Sequence, residues 1–96
     1  MNIPSFKSYG EYSSGNYGVN SMMFSLPNGV DFYYSYTTIV AFSSPFSGRV
    51  VHKNDWSTTT GKHLNWIDGG NKKDRLPRVE FEERLSNLLA KHGLTI

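Results

Sequence analysis

Apolar and polar positions alternate most clearly from Ser21 onward. Met22, Phe24 and Leu26 fall on one face of an extended segment, the two-residue period of a half-buried strand. Asn28-Gly29 follows, a pair that predicts a hairpin through a type I′ turn, which needs positive φ at both positions. Val30, Phe32, Tyr34 and Tyr36 then alternate on the return, and the same parity continues through Thr38, Val40 and Phe42. One strand through all of these would far exceed the usual five to six residues, so a strong bend or a break is expected near Tyr36 to Thr38. Bulky groups occupy both parities from Ile39 to Phe42, which predicts a central stretch covered on both faces. Ser43 to Gly48 reads as a second turn, with Pro45 presetting φ and Gly48 relieving the exit. Arg49 to Lys53 returns as a strand, with Val51 on one face and Val50 and His52 on the other.

The period then changes. Phe81, Leu85, Leu88 and Leu89 recur at helical spacing, so Pro77 to His92 is expected to be an amphipathic helix. Pro77 suits its first position, Glu80, Glu82 and Glu83 its positive end, and Lys91 and His92 its negative end. Between sheet and helix lies Asn54 to Gly70, which holds both tryptophans. The hydroxyls of Ser57 to Thr60 can start a short helix over Gly61 to Asp68, and Gly69-Gly70 can end it in the left-handed conformation. Leu64 and Ile67 would face the core, while Lys62 and Trp66, with His63 beside them, share another face. Asn71 to Leu76 reads as a charged linker. The expected fold is α+β: a small antiparallel β-meander of three to four strands, then a short helix and a C-terminal amphipathic helix packed on the sheet.

Residues 1–96 are expected to form a single domain. Its parts are a Ser/Gly/Tyr-rich N-terminal segment (1–20), the meander (21–53), the Thr/Trp-rich turn and short helix (54–70) and the C-terminal helix (77–92). The first of these reads as loop or irregular extended structure, and leaves open a further edge strand within 9–20. Tyr9, Tyr12 and Tyr17 there suit rings laid across a sheet, with base stacking as the alternative.

Aromatics make up 15% of the chain, so Phe, Tyr and Trp must supply much of the buried area. There is no Cys, which removes disulfides, thiolate chemistry and Cys-based zinc sites. No basic-then-apolar leader and no apolar run near membrane-spanning length is visible. The expectation is a soluble protein of the cytoplasm with no membrane partner. The net charge of +2 is distributed unevenly. Residues 1–48 carry Lys7 against Glu11 and Asp31, a balance of −1, while 49–96 carry nine Lys/Arg against six Asp/Glu, a balance of +3. Lys62, Lys72, Lys73, Arg75 and Arg78 form a cluster that could meet phosphates or simply be a solvated loop.

Candidate chemistry is sparse. Gly61-Lys62 resembles the end of a phosphate-binding loop, but His63 stands where a magnesium-binding hydroxyl belongs and Trp56 replaces the first glycine. No His pair at i, i+4 and no HExxH occurs, so neither metal ligands nor a cofactor are expected. If the chain were a catalyst, His63 oriented by Asp68, with Ser57 or a threonine nearby, would be the arrangement to look for. His52 reads as strand surface and His92 as a helix-end charge. The ligand-binding set is Thr59, Thr60, Lys62, His63, Asn65, Trp66, Lys72, Lys73 and Arg75, built on the anion-attracting start of a helix.

The stretches FYYSYTTIVAF (Phe32 to Phe42) and NDWSTTTGKHLNWID (Asn54 to Asp68) resemble an uncharacterised family of small proteins carried by bacteriophages, plasmids and their hosts. That family shares a Phe-Ser-Tyr-like strand, a Val-Ala-Phe ending and a Trp-Ser-x-Thr-Thr-Gly-Lys-His-Leu-Asn segment. The similarity runs from about Tyr12 to Leu89, and the second motif is the distinctive one. Ser35 preceded by Tyr34 departs slightly from the first. The resemblance brings no activity; it implies a small accessory protein in a phage or mobile-element setting, in the host cytoplasm.

Three functions follow as expectations. One is a non-catalytic module binding nucleic acid or another polyanion, with Trp56 or Trp66 for stacking. Another is a stoichiometric inhibitor or regulator of a host or defence enzyme, anchored by Trp66, Tyr33 and Phe46. The third is a small hydrolase or nuclease using His63 and Asp68. A homodimer is expected if the sheet keeps a bare apolar face.

Overall fold

A computed structural model describes residues 5–8, 21–56 and 58–91. The expectations for 9–20, Ser57 and His92 lie outside the described residues. The sheet is an antiparallel meander in chain order: β1 (Ser5–Ser8), β2 (Met22–Ser25), β3 (Asp31–Ser35), β4 (Thr38–Ser44) and β5 (Gly48–Val51). Two helices follow, α1 (Thr58–Asp68) and α2 (Arg78–Lys91), with a 3-10 turn at Lys72–Asp74 between them. The α+β architecture read from the sequence is the one present, with five strands rather than three to four. Ser5–Ser8, within the segment expected to be loop or irregular, pairs with β2 as an edge strand.

Each turn has a local cause. Between β2 and β3, Gly29 N donates to Leu26 O and Leu26 N to Val30 O, a three-residue loop rather than the expected type I′ pair. Pro27 presets the first turn residue, Gly29 alone takes positive φ (87°), and the Asn28 carboxamide accepts from Val30 N. Asn28 therefore acts through its side chain. The expected break at Tyr36 is a tight reversal, with Ser35 paired to Thr38. Tyr36 adopts φ 57° there, a conformation that costs a non-glycine residue roughly 1–2 kcal/mol. In the next turn the Ser44 hydroxyl accepts from Phe46 N and Ser47 N.

The reversal and a bulge change the parity expected for β4. Tyr34 pairs with Ile39 but Tyr33 with Ala41, so Val40 is the extra residue. Phe42 then joins Phe32, Val50, Phe81 and Leu88 in one cluster, whereas Val40 and Ala41 join Val51, Leu64 and Ile67 in another. The sheet thus has α2 on one face and α1 on the other. With both faces occupied, the bare-face argument for a homodimer does not apply.

In α2, Phe81 and Leu88 are buried, Leu85 and Leu89 pack at the edge of the same cluster, and Phe81 meets Phe42 with ring centroids 5.4 Å apart. The stripe read from the sequence is the packed one. In α1, Leu64 and Ile67 are buried as expected. The helix starts earlier than the 61–68 reading, so Thr58 to Thr60 form its first turn, and both Gly69 (φ 65°) and Gly70 (φ 84°) take the left-handed conformation that ends it.

After the 3-10 turn the chain docks beside the sheet. Leu76 N donates to Val51 O and Lys53 N to Leu76 O, a single parallel bridge along the outer edge of β5. What read as a linker is tied down. No helix among the described residues is long and apolar enough to cross a membrane.

Candidate functional site

Two polar side chains of α1 point inward. Thr60 and His63 are buried, and both bond the Ser35 hydroxyl at the end of β3, at 2.9 Å (Thr60 Oγ1) and 2.7 Å (His63 Nδ1). A buried polar group without such a partner would cost about 1–3 kcal/mol. The cluster therefore fixes the register of α1 on the sheet. Ser35 beside a histidine has the makings of a nucleophile and base, but His63 is 0% exposed and Ser35 only 3%. The Tyr36 ring lies over the same place, its centroid 6.0 Å from that of His63. A substrate could not reach the hydroxyl without moving that turn.

The arrangement expected for a catalyst is not the one formed. Asp68 sits at the other end of α1 and accepts from Arg75 twice, Nε to Oδ2 at 2.7 Å and Nη2 to Oδ1 at 3.0 Å, and also from Gly70 N. The two side chains of this pair are 5% and 7% exposed for Arg75 and Asp68. Burial by itself raises the Asp68 pKa, but the hydrogen bonds from Arg75 and Gly70 and the guanidinium charge outweigh it. The carboxyl is held below its ordinary value. Arg75 Nη2 also reaches Asn65 Oδ1 at 3.0 Å. Arg75, expected to meet a ligand, is thus a strut that ties the segment after α1 back onto the helix.

That strut forms the back of a cleft of about 370 Å³ lined by Lys53, Asn54, Gly61, Asn65, Lys72 and Arg75. Three linings are cationic, two are carboxamides, and none is a carboxylate. Gly61 has a reason to be glycine here: a Cβ would stand 3.0 Å from Asn54 Nδ2. Asn54 is itself held, because its Oδ1 accepts from Trp56 N at 3.0 Å. The nearby Asp74 is engaged by Asn71 Nδ2.

Of the residues expected to bind a ligand, the fold brings Asn65, Lys72 and Arg75 together. Lys62, Trp66 and Lys73 are exposed outside that lining, Thr59 is half-buried, and Thr60 and His63 are in the interior. The sequence reading missed Lys53, Asn54 and Gly61. In the sequence Lys53 reads only as a strand end, whereas Asn54 and Gly61 belong to the distinctive motif. His52, read as strand surface, is buried, with its ring 4.6 Å from Trp56 and 4.9 Å from Phe81. Tyr33, read as an exposed anchor, is half-buried against the α1-side cluster. Among the described residues no group of three or more His, Cys, Asp or Glu is placed to hold a metal.

Residues 5–83 match a family of unknown function (DUF8033). No curated protein and no solved structure matches the chain.

Proposed function

We propose that this chain, which belongs to the DUF8033 family of unknown function, is a small non-catalytic accessory protein that binds nucleic acid or another phosphate-rich ligand. The observation that carries this reading is the lining of the cleft: Lys53 and Lys72 with two carboxamides and no carboxylate, in front of an Arg75 whose charge is balanced by Asp68. The Asp68 charge behind it is committed to Arg75. Lysine ammoniums and amide N–H groups supply charge and donors without a base or nucleophile, which suits holding phosphates more than transforming them. Lys62 in α1 and Lys73 in the 3-10 turn are further exposed cations outside the lining. The setting that goes with this reading is a phage or mobile element acting in the host cytoplasm.

The test is salt dependence. Binding of a labelled oligonucleotide is followed by anisotropy across a salt series for the native protein and for Lys53→Ala with Lys72→Ala. The logarithmic salt slope should fall by about 0.7 for each single-strand phosphate contact removed. An unchanged slope and affinity would refute the cleft as the site.

A second reading rests on a different observation. Phe46 is 69%, Tyr36 52% and Trp66 49% exposed, the residue types that anchor protein interfaces. A host or defence enzyme held stoichiometrically through these rings would survive nuclease and high salt in a pull-down. A nucleic acid would not.

A further inference from the structure

We infer that the nucleic acid is taken up as a single strand, with one unstacked base entering an aromatic pocket on the far side of the segment that walls the phosphate cleft. This rests on the cleft reading above.

The placement follows from extended-chain geometry. In HKNDW (His52 to Trp56), His52 continues the α2-facing parity of Val50. Lys53 and Asn54 line the basic cleft, whereas His52 and Trp56 line a second cavity of about 460 Å³. One short segment therefore partitions two cavities of different chemistry. The second is walled by Tyr34, His52, Trp56 and Phe81, with Arg78 and Glu82 among its polar linings. Its volume lies within the roughly 300–1,000 Å³ of small-ligand pockets.

Its details suit a heteroaromatic ring. The His52 ring is fixed, because Nδ1 lies against the Lys53 carbonyl and must donate to it. His52 in turn supports Trp56 at 4.6 Å, yet Trp56 remains 38% exposed. A supported, part-open indole is a stacking surface. Arg78 lies with Cζ 6.0 Å from that ring and Nε 3.5 Å from Asp55 Oδ2. A guanidinium, a carboxylate and the Thr37 and Thr38 hydroxyls offer donors and acceptors to a base edge. A base in a duplex is stacked and paired and cannot enter, so the pocket selects single strands.

The experiment compares three labelled probes at low salt: a short oligothymidylate, an abasic deoxyribose-phosphate oligomer of equal length, and a duplex of equal length. The single strand should bind about 5- to 150-fold more tightly than the abasic oligomer, the contribution of one stacked base, and more tightly than the duplex. Trp56→Ala should remove that difference, and Trp56→Phe should keep part of it. The probe comparison uses the unsubstituted protein, so it decides the matter even if Trp56→Ala does not fold. Equal, salt-sensitive binding of oligothymidylate and abasic oligomer would overturn the base pocket and leave the phosphate cleft standing. Duplex binding as tight as the single strand would also overturn it. No binding of any probe would remove both.

Discussion

The Arg75–Asp68 strut gives the sharpest energetic prediction. The perturbation is Arg75→Met, which keeps a similar unbranched stem and removes the guanidinium. It deletes the two bonds to Asp68 at 2.7 and 3.0 Å and the one to Asn65. The Asp68 carboxylate, 7% exposed, is then left with the Gly70 amide as its remaining bond shown here. Breaking a buried ion pair from one side costs about 3–5 kcal/mol. Asp68 lies at a helix end and can turn toward water, so the lower figure, about 3 kcal/mol, is expected. For a domain of this size that corresponds to a fall in Tm of roughly 12–24 °C. Urea and thermal unfolding at neutral pH measure it, with Asp68→Asn and the double variant completing the cycle. The double variant should be less destabilised than the sum of the singles, because a neutral amide no longer needs the guanidinium. The pH arm has a defined sign. Since the folded Asp68 pKa is lowered, the strut's contribution is complete above the unfolded carboxyl value near about 3.9. It is lost as pH falls through the lower folded value. Asp68→Asn should lack that segment of the acid limb. A loss under about 1 kcal/mol for Arg75→Met, or strictly additive singles, would refute the argument.

Two further substitutions test the parts around it. Ser35→Ala removes the shared partner of Thr60 and His63 and should cost about 1–3 kcal/mol in urea unfolding; an unchanged midpoint would show that the buried cluster does not hold α1 in place. Gly61→Ala should gain up to about 1 kcal/mol of helix propensity while its Cβ, 3.0 Å from Asn54 Nδ2, displaces that amide. Weaker oligonucleotide binding by a protein that still unfolds cooperatively is expected, and unchanged binding would remove Asn54 from the site.

Where a residue's role depended on its near neighbours in the chain the sequence was mostly enough, although Pro27 makes the expected two-residue Asn28-Gly29 turn a three-residue loop. The Phe81–Leu85–Leu88–Leu89 stripe defined α2 because helical spacing puts those side chains on one face in any context. Leu64 with Ile67, the Gly69-Gly70 stop and the alternation through β2 and β3 were legible for the same reason. The break at Tyr36 was legible from strand length. Its consequence for β4 was not, because the bulge opposite Tyr33 and Tyr34 is a property of the pairing between strands and moves Phe42 away from Val40.

The candidate site was legible only in part. The motif from Asn54 to Asp68 marked the right neighbourhood, but helix phase could not say which polar residues would find partners. Ser35 is 28 positions from His63, and only the folding of β3 against α1 turns that histidine and Thr60 inward. Arg75 looked like one of five similar cations until Asp68, seven positions away, claimed it. Lys53 looked like a strand end until Leu76 bridged the edge of β5 and brought Lys72 across from it. Local spacing determined the elements and their apolar faces; the assignment of charge, either consumed inside or offered outside, was decided by contacts between distant segments that only the tertiary structure makes.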